Sequence, residues 1–98
     1  MKSITLTKED REANNYSESE GFILMVLYNL KNGQTTADLK EVILHLTDDN
    51  QDEMEEALGS LRSEGYVVYK DCKWFITEDG KRELERIAVF GELREVTQ

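Results

Sequence analysis

The sequence predicts an α+β fold made of three helices, a two-stranded β-hairpin and a closing helix. Three observations carry that expectation. Apolar residues recur at helical spacing in three successive segments, as they must where a helix docks on a core. Two short runs, YVVY at 66–69 and KWFIT at 73–77, are rich in β-branched and aromatic residues and are parted by a polar turn. A final segment opened by Thr77 then returns to helical spacing through Leu84, Ile87 and Ala88. With no proline, linker or internal repeat, the chain reads as one domain over 1–98. It divides into an N-terminal extension (1–16), a core (17–90) and a tail (91–98).

The N-terminal extension leaves two readings open. SITLT (3–7) alternates Ile4 and Leu6 with polar residues, as a short strand would, while Thr7 can cap a short polar helix reaching about Asn15. Ser17 and Glu20 then have capping-box spacing, a hydroxyl followed three residues later by a carboxylate. The helix they open should run through FILMVLYNLK and stop at Asn32–Gly33. Its apolar stripe is Phe22, Ile23, Val26, Leu27 and Leu30, broadened by Met25. Thr35 to Asp38 caps the next helix, with Leu39, Val42, Ile43 and Leu46 facing inward. Thr47 to Asn50 breaks it, and Asn50 with Glu53 caps a third helix anchored by Met54, Ala57, Leu58 and Leu61 and ended by Gly65.

In the hairpin, alternation puts Val67 and Tyr69 on one face and Tyr66 and Val68 on the other, and Lys70, Asp71 and Cys72 form the turn. The closing helix continues through KRELERIAVFGEL with Leu93 also inward. The order α-α-α-β-β-α is that of a winged helix, a helix-turn-helix core of three helices with a hairpin wing and a C-terminal helix.

Composition narrows the possible functions. Of 98 residues, 39% are hydrophobic and 34% charged, and the longest apolar run, FILMVLY at 22–28, is too short to span a bilayer. The opening ITLTKEDRE turns polar at once, unlike a signal peptide. Cys72 has no second cysteine with which to pair, so a cytoplasmic location without membrane contact is expected.

The net charge is −9, and it is unevenly spread. Residues 1–65 carry six basic against fourteen acidic side chains, whereas residues 66–90 carry five of each. Such a chain repels polyanions on average, mainly from its N-terminal two thirds.

Residues 58–84, LGSLRSEGYVVYKDCKWFITEDGKREL, resemble the small winged-helix regulators of the PadR and MarR kind. The residues that carry the resemblance are Leu58, Leu61, Gly65, Tyr66, Val67, Phe75, Ile76, Thr77, Gly80 and Leu84. The resemblance implies a homodimeric transcription regulator with its third helix in the DNA major groove and its hairpin on the backbone. Val89, Phe90, Leu93 and Val96, together with the N-terminal segment, would supply the dimer face.

The third helix departs from that pattern. From Asp48 to Glu64 there are seven acids and one base, Arg62. A carboxylate held close to a phosphate costs roughly 1 to 4 kcal/mol. Acids in the first turn favour the helix dipole, which accounts for Asp48, Asp49, Asp52 and Glu53 but not for Glu55 and Glu56.

The expected function is therefore that of a small acidic regulator working through protein contacts. Asp49, Asp52, Glu55 and Glu56 would meet a basic protein surface, or imitate DNA toward a DNA-binding protein. The alternative is a DNA-binding regulator that uses the wing and C-terminal helix through Asn50, Gln51, Lys70, Lys73 and Arg82, with Lys81 and Arg86 beside them. A scaffold with no dedicated site is a third reading.

Other constellations fall short. Asp48, Asn50 and Asp52 match the start of a calcium loop, but Glu53 and Gly59 stand where its glycine and bidentate glutamate belong. His45 has no companion ligand for zinc, and Cys72 has no base beside it for catalysis. No phosphate-binding glycine loop or nucleophile-elbow motif is present, so neither an enzyme nor a cofactor is expected.

Overall fold

Backbone N–H groups at helix starts have no partner within the helix, and this chain supplies them from side chains at every start. In the computed structural model, which describes residues 4–90, Thr7, Ser17, Thr35, Asn50 and Thr77 each accept from the N–H three residues on. The helices so opened are α1 (Lys8–Ala13), α2 (Glu18–Asn29), α3 (Thr36–Leu46), α4 (Gln51–Ser63) and α5 (Glu78–Ile87). At Ser17/Glu20 and Asn50/Glu53 the carboxylate also accepts from the cap backbone, completing both capping boxes. Strands β2 (Val67–Lys70) and β3 (Lys73–Ile76) form an antiparallel hairpin, and β1 (Ile4–Thr5) pairs antiparallel with β4 (Val89–Phe90). The architecture is thus α+β, with five helices, the hairpin and a second, two-residue-deep sheet.

Both readings of the N-terminal segment are realised, one after the other. Ile4 and Thr5 extend as β1, and Thr7 then caps α1. Asn29, at the end of α2, clamps the strand: its Oδ1 accepts from the Ile4 N–H at 3.1 Å, and its Nδ2 donates to the Ile4 carbonyl at 3.3 Å.

The core gathers Ile23, Leu24 and Leu27 of α2, Leu39 and Ile43 of α3, and Met54, Ala57, Leu58 and Leu61 of α4. Ile4, Val67, Trp74, Leu84 and Ile87 close it. Each large aliphatic side chain fully removed from water contributes about 1.5 to 3 kcal/mol before conformational entropy is charged against it.

Two helices differ from the periodic expectation at their ends. In α2, Leu24 is fully buried, while Leu30, counted among the inward residues, is 50% exposed just past the last turn. In α3, Leu39 and Ile43 are buried but Leu46, its last residue, is 52% exposed.

The closing helix is shorter than predicted. The Ala88 N–H bonds the Leu84 carbonyl, Ala88 turns extended, and Val89–Phe90 leave the helix to pair with β1. An available strand edge outcompetes further helix for a β-branched and an aromatic residue. Leu93 and Val96, expected inward or at a dimer face, lie outside the described residues.

The hairpin is fixed to the helices on one side. Gln34, between α2 and α3, exchanges backbone hydrogen bonds with Trp74 at 3.0 and 2.7 Å, adding a bridge beyond β3. The Trp74 indole Nε1 donates to the Thr36 hydroxyl at 2.9 Å. Gly33 lies beneath Phe75 with φ +81°, and a Cβ there would come within 2.6 Å of the Phe75 ring. Val67 is buried, but Tyr69, predicted to share its face, is 43% exposed. Tyr69 lies toward the tip, where it rests on the Trp74 ring with centroids 4.9 Å apart.

Candidate interaction surface on the fourth helix

A helix turns about 100° per residue, so burying Met54, Ala57, Leu58 and Leu61 forces Asp52, Glu55, Glu56, Gly59 and Ser63 to the opposite side. Asp52, Glu55 and Glu56 are all exposed. Among the described residues no Lys, Arg or His nitrogen lies within 4.0 Å of these carboxylates. Beside them, between the start of α2 and α4, Glu20, Asp49, Glu53 and Glu56 line a shallow groove with Ser17 and Ser60.

Asp49 differs from its neighbours. Its Oδ2 accepts from the Ser19 hydroxyl at 2.6 Å and from the Ser19 N–H at 3.1 Å, and Ser19 is fully buried. It therefore ties the α3–α4 loop to the first turn of α2, a structural duty not foreseen for a partner-binding residue.

The two predicted base-reading side chains are also engaged. Asn50 Oδ1 accepts from the Glu53 N–H at 2.9 Å as the α4 cap, and Gln51 Nε2 donates to Glu55 Oε2 at 2.9 Å.

On α5 every described cation is matched within its own helix. Lys81 meets Glu78 at 3.4 Å, Arg82 meets Asp79 at 3.3 Å, and Arg86 meets Glu83 at 2.8 Å. Lys70 and Lys73 differ. They face each other across the hairpin, both are exposed, and neither forms an ion pair among the described residues.

Periodicity and motif reasoning missed two tyrosine latches on α5. Tyr16 donates its hydroxyl to Glu83 Oε2, and Tyr28 donates to Glu85 Oε2, each at 2.6 Å. Burial first, then the hydrogen bond and charge of Glu83, push the Tyr16 phenol well above its ordinary range. Burial and Glu85 push Tyr28 up to about 12. The Arg86 guanidinium holds Glu83 below the usual carboxylate value. These pairs span 67 and 57 residues of chain, and no local pattern announces them.

His45 and Cys72 are exposed, and among the described residues no three His, Cys, Asp or Glu side chains are gathered as metal ligands. Asp48, Asn50 and Asp52, the calcium-like run, form the end of one loop and the start of α4. Among the described residues no helix is long and apolar enough to cross a membrane. No family model, curated protein or solved structure was found to match the chain.

Proposed function

We propose that this chain is a small winged-helix regulatory protein that acts by protein–protein contact through the outer face of α4. Two features support the winged-helix reading. The hairpin directly follows α2, α3 and α4, and Gln34 bridges the outer side of β3. On this reading α4 occupies the place of a recognition helix and β2–β3 that of the wing.

The observation that carries the functional half is the outward carboxylate set Asp52, Glu55 and Glu56, with no cation of the chain within ion-pairing distance among the described residues. Such a face repels a phosphate backbone and draws in Lys- and Arg-rich surfaces, accelerating encounter and rejecting acidic partners. A DNA-binding protein is one such surface, in which case the carboxylates stand in for phosphates. Asp49 contributes charge but is held by Ser19. A homodimer in the cytoplasm remains part of this proposal.

The test has two arms. Charge reversal by Glu55→Lys with Glu56→Lys should abolish capture of the partners retained by the unaltered protein, and those partners should be basic. An unchanged set of captured proteins would refute the reading. In a gel at low salt, the unaltered protein should leave random duplex DNA unshifted. A second reading, DNA binding through the wing, is favoured by exposed Lys70 and Lys73, which form no ion pair among the described residues, and a salt-sensitive shift lost in Lys70→Ala/Lys73→Ala would establish it in place of the first.

A further inference from the structure

Residues paired directly across an antiparallel hairpin share a face. The pairs Val68–Phe75 and Lys70–Lys73 therefore lie together on the outer side of the wing, opposite the buried Val67 and Trp74. Val68 is 43% exposed, Phe75 is half-buried, and Lys70 and Lys73 are exposed, with Asp71 in the turn between them. The Phe75 ring lies over Gly33 and lines a hollow of about 170 Å³ with Leu27, Lys31, Ile76 and Lys81. Lys81 meets Glu78, whereas Lys31, Lys70 and Lys73 form no ion pair among the described residues. In a chain of net charge −9, this face is basic around an apolar centre.

A surface that matches it needs carboxylates and apolar area together. The outer side of α4 supplies only the first, since Asp52, Glu55, Glu56, Gly59 and Ser63 include no apolar side chain. The outer side of α3 supplies both. A turn of about 100° per residue brings Asp38, Glu41, Val42, His45 and Leu46 to one side of α3 and Lys40 to the other. Glu41, Val42, His45 and Leu46 line a mostly apolar groove of about 370 Å³. Asp38 and Glu41 are exposed and form no ion pair among the described residues. The wing of the same chain is stitched through Trp74 to Thr36, at the opposite end of α3 from Leu46 and about 15 Å away along the axis. These two surfaces can meet only between copies.

We propose that the outer wing face of one copy docks on this side of α3 in a second copy. Val68 covers Val42 and Leu46, while Lys70 and Lys73 meet Asp38 and Glu41. The contact gives the homodimer proposed above its interface and leaves the acidic face of α4 free for a different partner. It rests on the self-association part of that reading and not on the role of α4. Such a contact is small, and small interfaces are weak and transient.

Sedimentation equilibrium of the whole chain at about 50 to 500 µM should show a mass above the monomer. Lys70→Glu with Lys73→Glu should weaken association at least about tenfold, and so should Asp38→Lys with Glu41→Lys. The second pair lowers the net negative charge of the chain, so its effect cannot come from overall repulsion between copies. Mixing the two variants should restore association, because in a mixed pair every wing faces an α3 of opposite charge. Should Asp38→Lys, in the first turn of α3, cost the dispersed amide spectrum, Glu41→Lys with Leu46→Ser takes its place as the weakening variant. A monomer at every concentration overturns this proposal and the dimer together while leaving the α4 reading standing. Association that neither reversal weakens, or that mixing does not recover, overturns this proposal alone and assigns the dimer to another face.

Discussion

Ser19 and Asp49 join a loop to a helix through one carboxylate oxygen, which accepts from the fully buried Ser19 hydroxyl and from the Ser19 N–H, at 2.6 and 3.1 Å. Removing the acceptor leaves two donors of a buried residue without their partner. Asp49→Ala should therefore destabilise the fold by about 1 to 3 kcal/mol, read as a lower urea midpoint at unchanged slope. Asp52→Ala, one turn along and exposed, should change stability by less than about 0.5 kcal/mol.

Gly59 and Gly80 should respond to alanine in opposite directions. A Cβ at Gly59 meets nothing within 4 Å, and glycine inside a helix is about 1 kcal/mol worse than alanine. Gly59→Ala should raise the melting temperature. A Cβ at Gly80 would collide with the Tyr66 carbonyl oxygen and crowd Ile76, so α5 could not approach the start of β2. Gly80→Ala should cost at least about 1 to 3 kcal/mol, as forced overpacking does.

The hairpin tip carries a backbone cost. Asp71 and Cys72 both adopt positive φ, 53° and 65°, the combination a two-residue hairpin turn demands. Cysteine is a poor occupant of that region. Asp71→Asn with Cys72→Gly should stabilise the protein by about 0.5 to 1 kcal/mol, measured by urea unfolding, and should leave the Tyr69–Trp74 contact in place.

Stability should fall in strong alkali for a specific reason. The phenols of Tyr16 and Tyr28 have raised values in the fold and ordinary values, near 10, in the unfolded chain. Below pH 10 their contribution is fully present. Above it the unfolded chain gives up its phenolic protons first, and for Tyr28 the loss develops between about 10 and 12. Tyr16→Phe with Tyr28→Phe should flatten that alkaline decline in thermal melts. At the acid end Glu83 works the other way: its lowered value contributes stability above its ordinary 4.5, and that is lost as pH falls through the folded value.

Much of this fold was legible because its instructions are local. Ser17 and Glu20, or Asn50 and Glu53, are three residues apart, and the hydrogen bonds they form are decided within one helical turn. The inward set of α4, Met54, Ala57, Leu58 and Leu61, follows from spacing alone. What escaped depends on distant partners. Leu30 and Leu46 have the right spacing, but each stands at the end of its helix and stays half exposed. The end of α5 at Ile87 requires β1, more than eighty residues earlier, to offer an edge. At the candidate surface, Asp52, Glu55 and Glu56 could be placed outward from periodicity. The duty of Asp49 could not, because Ser19 lies thirty residues away.

The stitching of Gln34 and Thr36 to Trp74 has a mechanical consequence. The β-ribbon cannot swing as an independent paddle about its own base, since the connector preceding α3 would have to tear free first. A pull on Lys70 and Lys73 at the far end is therefore passed through Trp74 to the first turn of α3 rather than dissipating in a hinge.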